Sequence, residues 1–454
     1  MKPLEHINSY YAASVNSKTN YPPLEGSKKA DVCVIGAGFT GVAASLSLAE
    51  RGYDVSLIEA NRVGWGASGR NGGQIIGGFS GEEEMLKKYG EEFESVIWNM
   101  RWEGHDIIKK RVKKYSINCD LKWGYLDVAL KNRHIKDFYQ EKELMEKYNF
   151  PHQTKILTHQ ETKDLIGTNA YIGSFLNQGN GHVHSLNLCI GEAKAAESLG
   201  TKIYEQSPVL EIKKNKRATV VTENGSITAD TILIAGNAYH QLDPKLRNYI
   251  IPVNSFIIAT EPLPENIIEE INPKDLAVCD PNYVLEYFRL TADKRLLFGS
   301  RIKYFSDDKE YIEKQLRKKL SKIYPKLADV RVDFAWRGTI GVTINRVPQL
   351  GKLAPNIFYS QGYSGHGVNM THLAGKIIAE TISGTMERFD LFNNIKPIAI
   401  PGTYTLRKPL VSLGIMFYKL IDKMYSTTYN FGVSCNDGET NVMTPEKHKV
   451  LEDV

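Results

Sequence analysis

The chain has 454 residues, roughly three times a ~150-residue domain, so two or three structural units are expected. Hydrophobic residues make up 42% and charged residues 24%, an ordinary globular composition that excludes a fibrous repeat and wholesale disorder. The formal charge of +5, from 57 Lys and Arg against 52 Asp and Glu, is too small on a surface this large to argue for nucleic acid.

The first 26 residues carry no apolar stretch of secretory type, so a cytoplasmic protein is expected. Val32 to Ile35 is a short β-branched run that reads as a buried parallel strand. Gly36-Ala37-Gly38-Phe39-Thr40-Gly41 follows at once, then a helical pattern from Val42 to Glu50 that stops at Arg51-Gly52. Val55 to Ile58 is a second strand, closed by Glu59. Gly36 permits a tight turn, Gly38 lets a pyrophosphate approach the backbone, and Gly41 lets helix and strand pack closely. The helix start offers N–H groups and partial positive charge to phosphates. Glu59, 18 residues beyond Gly41, stands where a carboxylate can accept ribose hydroxyls, which favours FAD or NAD over NADP.

Seven of the seventeen residues from 62 to 78 are Gly. A nicotinamide-binding unit would run into another helix here. A loop this dense in glycine implies backbone wrapped around an extended flat ligand, with Arg70 and Asn71 as donors. Residues 82–116 read as one charged amphipathic helix, 124–130 as a strand, 133–148 as a helix and 171–176 as a strand. His184 to Leu199 is a helix, and strands are predicted at 202–204, 209–213 and 231–235, the last ending in Gly236-Asn237. From Pro252 to about Phe334 longer strands and one helix at 309–324 predict an antiparallel sheet. A strand at 356–360, the run Gln361 to Gly367 and a helix at 368–383 repeat the first device of strand, glycine turn and helix start. Leu410 to Met424 is a short amphipathic helix, a surface for core, subunit or membrane docking, and 426–454 reads as a flexible tail. Cys33, Cys119, Cys189, Cys279 and Cys435 are scattered with no Cys-x-x-Cys pair, which speaks for reduced thiols and against a metal site.

These residues resemble the D-amino-acid-oxidase-like superfamily of FAD oxidoreductases, and within it the bacterial gamma-glutamylputrescine oxidases. The resemblance rests on Ser9 to Ser14, Val63 to Gln74, Gly181 to His184, Ala235 to Tyr239, Tyr287 to Leu290 with Thr291 to Asp293, Gln361 to Val368 and Thr371 to Gly375, and spans about 9–425. It implies an α/β fold: a Rossmann-like FAD-binding domain of discontinuous segments (1–84, 182–250, 336–400) with an inserted α+β substrate domain (85–181, 251–335) built on a mixed or antiparallel sheet. It implies oxidation of a primary amine to an aldehyde, with oxygen as acceptor and ammonia and hydrogen peroxide as products.

Carried over by position, Gly36 to Gly41, Glu59, Ala60 and Arg62 would serve the ADP half of FAD. Gly66, Ala67, Ser68, Arg70, Asn71, Gly72, Gly73 and Gln74 would line the ribityl and ring region, Val209 would meet the adenine, and Gly236, Asn237 and Gly365 to Val368 would complete the site. With no His in 64–74 and no Cys between Trp336 and Tyr363, non-covalent FAD is expected. Tyr283, Tyr287, Phe288 and Trp336 are the candidate pocket aromatics, set against a core role, which is the commoner one for Tyr and Phe in predicted strands. Arg289 and Arg301 are candidates to pair a substrate carboxylate, set against salt-bridged alternatives. His366 is a candidate flavin donor or else a helix-cap residue; His182 and His184 read as structural; Lys303 is a candidate cation for oxygen. Gly299-Ser300-Arg301, where the family has a glycine run, and Arg337 are departures expected near the substrate. The rival readings are a related dehydrogenase for amino or N-methyl acids, a flavin-binding or membrane-docked module without turnover, and a plain NAD dehydrogenase.

Overall fold

A computed structural model describes residues 4–240, 242–282, 284–300 and 308–400. Tyr283, Arg301, Lys303, Cys435, the 410–424 helix and the 426–454 tail lie outside the described residues. After a one-turn helix α1 (Tyr10–Ala13) come β1 (Gly26–Ile35), α2 (Phe39–Ala49) and β2 (Val55–Ile58). The last four residues of β1 and all of β2 are buried, as suits parallel strands covered on both faces. Every residue of α2 is buried too, so it is an interior helix.

Next come β3 (Gln74–Ile75), α3 (Glu82–Tyr89) and α4 (Glu94–Lys114). The single helix predicted over 82–116 is thus broken, at Gly90, whose φ of +87° ends α3. β4 (Lys122–Ala129), α5 (Asn132–Lys147), β5 (Thr154–Thr158), α6 (His159–Ile166) and β6 (Gly173–His182) follow. Then come α7 (Ser185–Ser198), β7 (Lys202–Tyr204), β8 (Glu211–Lys213), β9 (Ala218–Val221), β10 (Gly225–Ile234) and α8 (Pro244–Asn248). The inserted stretch holds β11 (Ile251–Pro262), α9 (Glu265–Ile271), β12 (Ala277–Cys279), β13 (Glu286–Leu290), β14 (Arg295–Ser300), α10 (Lys309–Ile323) and β15 (Val332–Val342). β16 (Gln349–Ala354), β17 (Ile357–Gln361), α11 (Gly367–Ile382) and α12 (Glu387–Asn393) end the described fold.

The first sheet runs β16-β17-β10-β1-β2-β7. From β17 to β7 the neighbours are parallel, while β16 is antiparallel at the edge. β10 pairs with β9 along its first half and with β17 along its second. The C-terminal ends of β1, β10 and β17 therefore lie side by side, where open α/β sheets bind ligands.

The second sheet runs β15-β11-β14-β13-β12-β4-β6-β3, with β5 on β6. It is antiparallel except where β12 meets β4, so it is the mixed sheet expected of the insertion. Its outer face packs Leu126, Val128, Phe288 and Phe298 against Ile312 and Leu316 of α10. Its inner face contributes Tyr125, Ile257, Cys279, Tyr287 and Trp336 to the core shared with α2 and α11. Phe288, expected in the pocket, is thus on the wrong face for it.

Three of the expected domain assignments differ from the structure. The boundary at 335/336 falls inside β15, which pairs with β11 from Val332 to Val342. β3, expected in the first domain, pairs with β6 of the second sheet. α4, expected in the insertion, docks on the first domain, where Arg111 donates to Ala43 O (3.1 Å), Ser47 Oγ (2.7 Å) and Glu192 of α7 (3.1 Å). An amphipathic stripe announces a buried face but not which neighbour covers it. Among the described residues no helix is long and apolar enough to cross a membrane.

Candidate active site

Gly36 leaves β1 with φ +103° and donates to Ile58 O at 2.7 Å. A Cβ on Gly41 would stand 1.9 Å from Gly36 O, so α2 approaches the turn this closely only because Gly41 has no side chain. Gly38 is the N-cap of α2 and brings no side chain to the first N–H groups. Ser68 supplies one acceptor from outside, its Oγ 2.8 Å from Phe39 N. Glu59 accepts from Ala37 N (2.8 Å) and Asn61 N (2.9 Å), and burial pushes its carboxyl above the usual range. The expected ribose acceptor therefore sits half-buried against the turn itself, with Ala60 beside it.

The glycine-rich loop is a rigid piece of structure. Gly66 lies under the Tyr239 ring, and Ala67 to Gly69 form a single 3-10 turn. Asn71 Nδ2 donates to Ala67 O and Ser68 O, while its Oδ1 accepts from Gly73 N and Ser185 Oγ. The Arg70 guanidinium stacks 4.1 Å over Trp65. Gly73, at φ +75°, accepts from Val183 N at 2.7 Å. Gln74 Nε2 donates to Val278 O at 3.0 Å, turning it toward β12. Arg62 departs from expectation, because its guanidinium donates to Glu5 and Glu205 and so ties down the N-terminal segment. Val209, just ahead of β8, is half-buried against the core of the first sheet.

The second glycine turn has φ +78° at Gly362, +54° at Ser364 and +97° at Gly365. Asn237, after Gly236 at the end of β10, accepts from Gly362 N at 3.1 Å and so holds the turn to the neighbouring strand. α11 begins at Gly367, and its N-cap His366 makes no side-chain cap bond. A Cβ added at Gly365 would come within 3.3 Å of Ile340 Cδ1, a tight contact, whereas one at Gly367 would make only ordinary contacts at 3.8 Å with Thr371 and Tyr363; Val368 is buried behind this helix start. His366 Nε2 lies 3.2 Å from Ile76 O and donates there, which spends its ring N–H on the glycine-rich loop.

The structure therefore brings together the residues expected to hold FAD: a side-chain-free turn, two helix starts without side-chain caps of their own, an acid at the end of β2 and a glycine loop held by hydrogen bonds.

The expected catalytic residues divide. Tyr287 lies on the inner face, its ring wedged where Cβ atoms on Gly72 or Gly299 would come within 2.5 and 2.2 Å, and its hydroxyl 3.3 Å from Ser255 Oγ. Trp336, 2% exposed, donates Nε1–H to Arg70 O at 3.0 Å and so braces the loop. Arg289 is corrected by the structure. It is 3% exposed and donates to Gly72 O (2.8 Å), Leu290 O (2.8 Å), Tyr11 OH (2.9 Å) and Val183 O (3.0 Å), so it clamps the loop and does not face a substrate carboxylate. Arg337 falls opposite Phe256, between inward-facing Trp336 and Gly338, which puts it on the outer face and away from the site. His184 caps α7 by accepting from Asn187 N, and His182 Nε2 meets Asp275 O at 2.9 Å, both structural as expected.

Sequence reasoning missed Tyr363, Tyr11, Glu205 and Asp127. Tyr363 and Tyr11 stood inside recognised motifs but carried no role, because only the folded chain shows what their hydroxyls meet.

The DAO family profile, described as FAD dependent oxidoreductase, matches residues 31–381. The chain is 41% identical over 423 residues to the gamma-glutamylputrescine oxidoreductase of Escherichia coli (strain K12), covering 92% of this chain and 99% of that protein. It is 42% identical over 427 residues to the probable oxidoreductase OrdL of Haemophilus influenzae, covering 92% and 98%. Among solved structures, glycine oxidase from Geobacillus kaustophilus superposes with TM-score 0.66 at 19% identity, over 81% of this chain and all of that one. L-proline dehydrogenase from P. horikoshii gives 0.67 at 22%, over 82% and 97%. At these identities the structural likeness concerns the fold alone.

Proposed function

We propose, from the premise that this chain belongs to the DAO family of FAD dependent oxidoreductases, that it oxidises a primary amine of the gamma-glutamylputrescine kind to an aldehyde. In this reading FAD is held non-covalently, oxygen is the acceptor, and ammonia and hydrogen peroxide are released. The observation that carries the substrate class is the 41% identity, over 92% of this chain, with a gamma-glutamylputrescine oxidoreductase.

Bound FAD supplies a two-electron acceptor. The chain supplies the rest. The Gly36–Gly41 turn and the start of α2 suit the pyrophosphate. The start of α11 carries partial positive charge and favours negative charge at the cofactor's other end. An alkylammonium resembles Lys, with a pKa of about 10.4, and must shed its proton before oxidation. The inner sheet face beside Tyr287 and Trp336, 9% and 2% exposed, is dry enough to lower that pKa by desolvation. Rigid placement and dehydration of the amine then do most of the work, without a strong base.

Purified protein should be yellow, absorbing near ~450 nm, and bleach anaerobically when gamma-glutamylputrescine is added. In air, one peroxide should form per amine consumed. A colourless protein that refuses FAD, or a flavin no amine bleaches, overturns the reading. Bleaching without peroxide moves it to a dehydrogenase that passes electrons to a quinone or carrier protein.

A further inference from the structure

On the inner face of the second sheet, three adjacent strands align one residue each. Asp127 of β4 stands opposite Cys279 of β12, and Cys279 stands opposite Tyr287 of β13. At about 4.8 Å per strand, Asp127 lies about 10 Å from Tyr287 along this row. The Tyr287 end is where the glycine-rich loop lands, since Gly72 rests directly on its ring. The row thus leads outward from beneath the cofactor loop.

Asp127 is half-buried, and among the described residues its carboxyl has neither a hydrogen bond nor an ion pair. Its surroundings are neutral or of the wrong sign. Tyr125 and Cys279 share its face, Phe175 of β6 is opposite, and Glu141 of α5 repels it. Arg101, the cation beside Glu141, is itself engaged by Glu141 at 2.8 Å and Glu82 at 3.3 Å. Burial lifts the Asp127 carboxyl to about 8, so it ionises fully only when a positive charge arrives. Between Asp127 and Tyr287 lies Cys279, whose thiol burial keeps neutral, so no charge intervenes along the row. A half-buried carboxyl with no partner costs stability and returns none, the signature of a group kept for binding.

We propose that Asp127 is the subsite for a second cationic nitrogen of the substrate, making diamines and their ammonium-bearing derivatives the preferred class. This deepens the amine-oxidation reading and rests on it for the location of the reacting carbon.

The test uses FAD-loaded wild type, Asp127→Asn and Asp127→Glu, with gamma-glutamylputrescine, putrescine and butylamine as probes. Half-saturating concentrations are read from anaerobic flavin reduction. In Asp127→Asn they should rise at least tenfold for the two probes with a second cation and stay within twofold for butylamine, while Asp127→Glu keeps the preference. The same rise for all three probes, or no rise, overturns the subsite. Should no amine reduce the wild-type flavin, the oxidation reading fails and the subsite is judged by calorimetry. Tighter putrescine than butylamine binding, equalised in Asp127→Asn, upholds it; no wild-type preference overturns it. Removal of an unpaired carboxyl should leave the melting temperature at pH 7 unchanged or higher, and Asp127→Ser carries the same comparison if Asp127→Asn does not hold FAD.

Discussion

The Tyr363 hydroxyl lies 2.7 Å from Thr40 Oγ1 and 2.7 Å from Ser360 Oγ. Thr40 and Tyr363 are 323 residues apart, one in the first turn of α2 and the other in the turn before α11. They meet because β1 and β17 flank β10 in parallel, which brings both glycine turns to one edge of the first sheet. Burial pushes the phenol up to about 12, so it stays a neutral O–H that donates to one partner and accepts from the other.

Tyr363→Phe leaves two buried hydroxyls, on Thr40 and Ser360, short of a partner. The expected cost is about 1–3 kcal/mol, seen as a melting temperature lower by a few degrees and faster loss of FAD on dialysis. Equal melting and equal FAD retention would refute the idea that this contact couples the two turns.

Gly41→Ala places a methyl 1.9 Å from a backbone carbonyl, where no side chain can move aside. A folded but colourless protein, or an insoluble one, is expected. Gly367→Ala is the contrasting variant, since its nearest neighbours are 3.8 Å away; it should fold with near-normal circular dichroism and melting.

Arg289→Lys removes the planar fork that serves the carbonyls of Gly72, Leu290 and Val183. FAD retention and melting temperature should fall together. The Michaelis constants for putrescine and gamma-glutamylputrescine should change by the same factor, because Arg289 does not meet the glutamyl carboxylate. A selective loss for the carboxylate-bearing substrate would restore the role expected from sequence.

His184, 3% exposed, has its pKa lowered to about 3 by burial, with Arg289 adding repulsion. The unfolded chain takes up this proton near 6.5, well before the folded one does. Its contribution is therefore complete above about pH 6.5 and is lost as pH falls toward 3. His184→Asn keeps a cap for α7 but removes the titration. The stability advantage of wild type over this variant should shrink by about 2 kcal/mol between pH 6.5 and pH 5, measured by urea unfolding at each pH. An advantage that is constant with pH would contradict a neutral buried imidazole.

The first βαβ unit was legible in its order, its turn and its second strand, although β1 begins six residues ahead of the expected Val32 and α2 three ahead of the expected Val42, because strand burial, glycine geometry and helix punctuation are local properties. Tyr287 and Phe288 are neighbours in β13, as are Trp336 and Arg337 in β15, so strand alternation turns the members of each pair to opposite faces, although the sequence reading placed both members at the site. Arg289 looked like a substrate anchor until its donors were found on Gly72, Val183 and Tyr11, residues 106 to 278 positions away. Phe288 and Arg337 looked like pocket residues until the outer core claimed the one and the register of β15 turned the other outward. The boundary at 335/336 failed for a similar reason: nothing in the residues of β15 announces that β11 holds it for its whole length.

By itself, the order of residues determined that this chain makes two glycine-flanked helix starts suited to a dinucleotide, since each depends on backbone freedom and spacing within thirty or so neighbours. Only the tertiary structure decided that they lie side by side at one edge of the first sheet, that Arg289 braces the glycine-rich loop, and that Asp127 lies in line with Tyr287 without a counter-charge. Those are contacts across strands and between distant segments, and their energies depend on which surfaces meet.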